Sequence, residues 1–254
     1  MNTRETINIK DLTNMIDNPR TGKVENEEDE IKSIYEMNPR KLVNLAKAIA
    51  ENGYENAYTV IIVKDKNKNI VYDGNRRLAA LKLLLNTEDY DFLRTSDKKT
   101  LIKLRKEHVI PDSIEVVVKG KKQALQYMKL SHGYQGTGSE HENWDSVSKQ
   151  RFSTLFGEEE PIIILIDEFK SKFNEEITNI LPNTTITRIL SNSAVKNKLN
   201  IDINKRKQYS KKELETIKLV LEKAKNISSD HGQKASRFLN TDKQIKKYLI
   251  PELD

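Results

Sequence analysis

Apolar positions along the first half of the chain recur with two different periods. Leu42, Leu45, Ala46, Ile49 and Ala50 follow the three-and-four spacing of one helix face, opened by Pro39 and closed by Asn52-Gly53. Residues 59–63 are a β-branched run that predicts a strand. Residues 64–69 supply a polar turn, and Ile70-Val71-Tyr72 returns as a second strand. After Asp73-Gly74-Asn75 the period becomes helical again through Leu78, Ala79, Leu81, Leu84 and Leu85. A short strand over 7–12 leads into a turn-rich stretch over 14–19. A lysine-rich helix over Thr95–Glu107, a strand over 114–118 and a helix over 121–131 complete this half.

From Glu158 onward the pattern is helical only, with segments over Pro161–Phe173, 184–199, 211–226 and 241–249. The change in pattern near Gly157 predicts an α+β protein. A small mixed-sheet domain over residues 1–157 is followed by an all-helical half over residues 158–254.

The 254 residues contain no cysteine, which excludes a disulfide framework, a thiolate zinc site and a cysteine nucleophile. The first residues have no apolar signal core, and the longest apolar run, 162–166, is far too short to cross a bilayer. A cytoplasmic protein without a membrane partner is therefore expected. Forty-four Lys and Arg against 38 Asp and Glu give a net charge of +6, a mild bias towards polyanionic partners. The acidic run over 25–30 reads as a solvated loop or helix start rather than a metal site.

The candidate chemistry lies at Asp73-Gly74-Asn75-Arg76-Arg77. Gly74 permits a sharp turn and close backbone approach. The helix that follows presents unpaired N–H groups and a positive dipole end to an anion. Two arginines in a first turn oppose that dipole unless an anion compensates them, and both can contact phosphate bidentately. Asp73 can accept from a ribose hydroxyl or from a water on Mg2+. The alternative is an ordinary Asp-Gly turn with two solvated arginines. A second segment, from His132 through the glycines 133, 136 and 138 to Glu140, His141 and Trp144, suits a lid or second phosphate cradle facing Arg76-Arg77, with His132 as acid, base or phosphate donor. Its alternative is a loop capped by Trp144, and its spacing matches no recognised metal motif. His108 and His231 read as structural.

The order helix-Gly, strand, turn, strand, GNRRLAALKLL resembles the ParB/sulfiredoxin superfamily over about residues 5–135. Residues 44–53 (NLAKAIAENG), 60–63 (VIIV), 70–81 (IVYDGNRRLAAL) and Asn18-Pro19-Arg20 carry the resemblance. It implies that Gly74, Asn75, Arg76 and Arg77 hold the phosphates of a nucleoside di- or triphosphate, CTP or ATP with Mg2+. It also implies that Glu51, Asn52 and Gly53 lie near the base or ribose. The chain departs from partition proteins where they carry Glu-Asn-x-Gln-Arg; here residues 130–135 read Leu-Ser-His-Gly-Tyr-Gln. Sulfinic-acid repair needs a cysteine and is excluded.

Partition proteins follow this domain with a helix-turn-helix. A helix over 168–180, a turn at Leu181-Pro182-Asn183 and a helix over 184–199 would supply one, with Thr185, Thr187, Arg188 and Lys196 towards DNA. The alternative is a bundle with lysines turned outward. The expected function is a ParB-like nucleotide-binding, DNA-associated switch of partition, plasmid, phage or defence type, with a second copy of the chain among its partners. The competing expectation is an enzyme, an NTPase, kinase or nuclease. It would use Asp73 or Glu51 as base or metal contact and His132 as helper.

Overall fold

Residues 3–54, 59–133, 144–157, 161–204 and 208–253 are described by the computed structural model. The fold is mixed α+β, and the chain divides into two compact units, Met1–Trp144 and Asp145–Asp254.

The first unit is built on five strands: β1 (Thr3–Asn8), β2 (Leu12–Asn14), β5 (Val60–Asp65), β6 (Lys68–Asp73) and β7 (Ser113–Val118), in the order β1-β7-β5-β6-β2. β1 runs antiparallel to β7 and β6 antiparallel to β5, whereas β7 is parallel to β5 and β2 is parallel to β6. β3 (Asp17–Asn18) and β4 (Gly22–Lys23) form a separate antiparallel ribbon.

Val60, Ile61, Ile62 and Val63 of β5 are all buried, so the first four residues of the strand are apolar, as a stretch covered on both faces must be, and the strand ends in exposed Lys64 and Asp65. Val60, Ile62, Val71, Ile114 and Val116 pack into one core with α1 (Glu27–Met37), α2 (Pro39–Asn52), α3 (Asn75–Leu85) and α4 (Thr95–Glu107). α5 (Lys121–Gly133) packs on β5 and β6. Helix α3 lies at the centre and is buried on every side from Leu78 to Leu84. That includes Lys82, whose Nζ donates to Leu12 O at 2.7 Å and to Glu27 Oε1 at 2.6 Å. Glu27 also accepts from Asn14 N–H at 2.6 Å, so one carboxylate closes the joint between α1, α3 and β2.

The acidic run over 25–30 is thus not a uniform solvated stretch. Asn26 caps α1 by accepting from Asp29 N–H, four acidic residues occupy the favourable first turn, and Glu30 is fully buried.

The regular elements of the second unit's described residues are all helical: α6 (Ser146–Thr154), α7 (Pro161–Phe173), α8 (Asn183–Ser191), α9 (Ser193–Leu199), α10 (Lys211–Asp230), α11 (Ala235–Phe238) and α12 (Asp242–Gln244), which continues through a wider π-helical turn over Ile245–Leu249 and a 3-10 turn over Ile250–Leu253. α6 belongs here, upstream of the Gly157 boundary expected from composition. Arg151 pairs with Asp167 of α7 at 2.5 Å, and Gln150 accepts from Asn183 of α8. Two features differ from the expected helix-turn-helix. α7 ends at Phe173, where Asn174 takes a left-handed φ of 53°. The expected helix over 184–199 is broken at Asn192, whose side chain caps α9 by accepting from Ala194 and Val195 N–H. No helix of the described residues is long and apolar enough to cross a membrane.

Candidate functional site

The Asp73–Arg77 segment forms the strand-to-helix corner expected of it. Gly74 has φ 101° and ψ 11°, a left-handed conformation that L side chains resist. A Cβ there would also lie 2.9 Å from Val60 Cγ2 and 3.3 Å from Arg77 Nη2, so glycine is required by backbone and by space.

The strand before the corner is bulged. Ile61 is paired with Asp73 and Ile62 with Val71, leaving Tyr72 as the extra residue. A regular strand sends successive side chains to opposite faces; the bulge lets Tyr72 and Asp73 both line the same cavity.

That cavity has a volume of about 460 Å³ and lies wholly within the first unit. Arg20, Lys41, Arg76 and Arg77 line it as cations, with Asp73 as the carboxylate. Leu42, Leu45, Met128 and Trp144 contribute apolar wall. Two helices open onto it with their N-terminal ends: α3 through Gly74–Arg77, and α2 through Asn38 and Lys41. Asn38 caps α2, its side chain accepting from Lys41 N–H at 3.0 Å.

Arg20 is placed by a buried clamp. Glu30 accepts from Asn18 Nδ2 and from Thr21 Oγ1, each at 2.7 Å, and Asn18 Oδ1 accepts from Arg20 N–H at 3.1 Å. Arg77 donates through Nη2 to Thr59 O at 3.4 Å. It also stands near Tyr54, whose hydroxyl is pushed above its ordinary pKa by burial, an effect the guanidinium partly offsets.

At the other side of the cavity His132 Nε2 lies 3.1 Å from Asp73 Oδ1, both side chains being more than nine-tenths buried. The His132 ring stacks on Trp144, with centroids 4.8 Å apart and planes 15° from parallel. Asp73, Gly74, Asn75, Arg76, Arg77 and His132 are therefore brought to one cavity. Asp73 Oδ1 is in contact with His132 Nε2 in this cavity.

Other expected roles change. Asn75 lines the cavity, but its carboxamide is a framework tie: Oδ1 accepts from Met15 N–H at 2.9 Å and from Asn14 Nδ2 at 3.2 Å. Glu51, Asn52 and Gly53 are not among the lining residues. Glu51 pairs with Lys47 at 3.7 Å on an exposed face, Asn52 donates to Ala48 O at 3.1 Å, and Gly53 closes the helix with φ 81°. The end of α2 that reaches the cavity is its start; its 14 residues separate the two ends by about 20 Å.

Sequence reasoning missed Glu30, Asn38, Lys41 and the lining role of Trp144. Asn38-Pro39 did signal a helix start, and a helix start is an anion-facing feature. Glu140 and His141 lie outside the described residues, as do 134–143 generally, 55–58 and Lys205-Arg206-Lys207. Among the described residues no group of three or more His, Asp or Glu could hold a metal ion.

The residues expected to read DNA do not form an exposed face. Thr185 is fully buried, and Thr187 Oγ1 donates to Asn183 O at 3.0 Å. Arg188 donates to Ser236 O at 3.3 Å, and Lys196 pairs with Asp202 at 2.8 Å. His231 stacks on Phe238 with centroids 4.5 Å apart, a structural role.

No protein-family model, no curated protein and no solved structure matches the chain.

Proposed function

We propose that the first unit is a ParB/sulfiredoxin-like domain that binds a nucleoside di- or triphosphate in the cavity of Gly74–Arg77. The observation that carries this reading is the convergence of Arg20, Lys41, Arg76 and Arg77 with the starts of two helices on one cavity that also has an apolar wall. The cations and helix starts suit a polyphosphate. The apolar wall of Leu42, Leu45 and Trp144 suits a base or sugar face. The volume falls within the roughly 300–1,000 Å³ of small-molecule sites.

Isothermal titration with CTP, ATP and ADP in the presence of Mg2+ tests the reading. Wild type should bind at least one of them, and Arg76→Ala with Arg77→Ala should weaken binding by roughly 100-fold or more, two charge-assisted contacts being lost. Equal, weak heats for wild type and variant would remove the site. The wider role of a DNA-associated switch is tested by salt-dependent DNA retention with and without the bound nucleotide. Retention indifferent to nucleotide would leave a nucleotide-binding domain without the switch.

A further inference from the structure

We propose that the cavity of Gly74–Arg77 takes its nucleotide as a metal-free anion, with the cations of its wall standing where Mg2+ would bridge the phosphates. The inference rests on the nucleotide reading above and departs from the Mg2+ that the family resemblance implies. It follows from the donor set, which does not fit magnesium. That ion demands a near-octahedral array of oxygens, and proteins anchor it through one or two carboxylates beside the phosphates of the ligand.

Among the described residues of the wall, the side-chain oxygens belong to Asn18, Asn38, Tyr72, Asp73 and Asn75. The three carboxamide oxygens are held by the framework. Asn18 Oδ1 accepts from Arg20 N–H at 3.1 Å, Asn38 Oδ1 from Lys41 N–H at 3.0 Å and Asn75 Oδ1 from Met15 N–H at 2.9 Å. Tyr72 keeps its proton, since burial raises its hydroxyl above the ordinary value, and a neutral phenol is a poor ligand for a hard cation. Asp73 is the one carboxylate among these residues, and its Oδ1 lies 3.1 Å from His132 Nε2. Residues 130–135, where partition proteins carry a glutamate, bring His132 to the wall in its stead. Glu27 pairs with Lys82 at 2.6 Å and Glu30 holds Asn18 and Thr21, and neither lines the cavity.

Charge points the same way. Arg20, Lys41, Arg76 and Arg77 stand against that single carboxylate. A dication on the phosphates cancels charge that these groups would otherwise meet, and the wall repels it. A guanidinium can hold two phosphate oxygens at once, which is the geometric service a bridging metal performs.

Titration calorimetry of the intact chain with CTP, ATP and ADP tests the inference, in EDTA and in excess Mg2+ at matched ionic strength. At least one nucleotide should bind roughly tenfold or more tightly in EDTA, the equivalent of about one charge-assisted contact restored. Arg20→Ala and Lys41→Ala should each weaken metal-free binding and narrow the gap between the two buffers, because each removes a charge that opposes the metal. Affinity that is unchanged or weaker on chelation, or a gap of the same size in both variants, overturns this inference and leaves the nucleotide reading intact. Absence of binding in both buffers overturns both.

Discussion

Gly74 and Val60 approach so closely that a single methyl group on the glycine would lie 2.9 Å from Val60 Cγ2. The left-handed φ of 101° adds a backbone penalty. Gly74→Ala should therefore destabilise the first unit by about 1–3 kcal/mol, measured by urea unfolding. It should also move Arg77, whose Nη2 lies 3.3 Å from the added atom, and so weaken nucleotide binding beyond the loss of stability.

Asn75 is expected to behave differently from the arginines beside it. Its carboxamide oxygen satisfies the buried Met15 N–H and Asn14 Nδ2. Asn75→Ala should cost about 1–3 kcal/mol through a buried donor left unsatisfied. Arg76→Ala should reduce affinity by more than its effect on the melt accounts for, and the two variants side by side in calorimetry and thermal denaturation separate framework from contact.

Glu30 should act on the ligand without touching it. Glu30→Gln keeps the shape but loses one of the two acceptors that hold Asn18 and Thr21. The loop carrying Arg20 should loosen, with affinity for a nucleoside triphosphate falling by roughly tenfold for one weakened charge contact. Titration of this variant against Arg20→Ala, and against the double variant, should show the two effects to be non-additive.

Alkaline pH should unfold the first unit before it affects an ordinary surface. Burial, with help from Glu27, pushes the Tyr90 hydroxyl up to about 12, and burial also raises Tyr35, Tyr54 and Tyr72. A group raised in the folded state contributes its stability fully below the unfolded value of 10.0 and loses it as pH rises towards the folded one. Melting temperature should thus decline between about pH 10 and 12. Tyr90→Phe should make that decline shallower.

Glu51→Gln should not alter nucleotide binding, because Glu51 faces Lys47 on the outside of α2. A loss of binding in this variant would return the C-terminal end of α2 to the site.

Much of the sheet was legible because its signals are local. β5, β6 and β7 were marked by β-branched runs and a polar turn, and Gly74 by the switch of period after it. The direction of α2 was not legible: its apolar stripe fixes which face is buried but not which end meets the corner at Gly74. The resemblance to a known family drew attention to Glu51–Gly53, whereas packing brought Asn38 and Lys41. The contact of Asp73 with His132 spans 59 residues and depends on α5 packing against β6, which no periodicity encodes. The break at Asn192 was hidden because Ile186, Ile189, Leu190 and Val195 keep an apolar rhythm across it. The cue present was Asn192-Ser193, a capping pair inside that rhythm.

The chain has one tryptophan, and it is the ring that rests on His132 at the cavity wall. Its fluorescence therefore originates from a single place. An arriving occupant would alter the emission of that one indole, so the protein carries its own optical gauge of cavity occupancy without an added label.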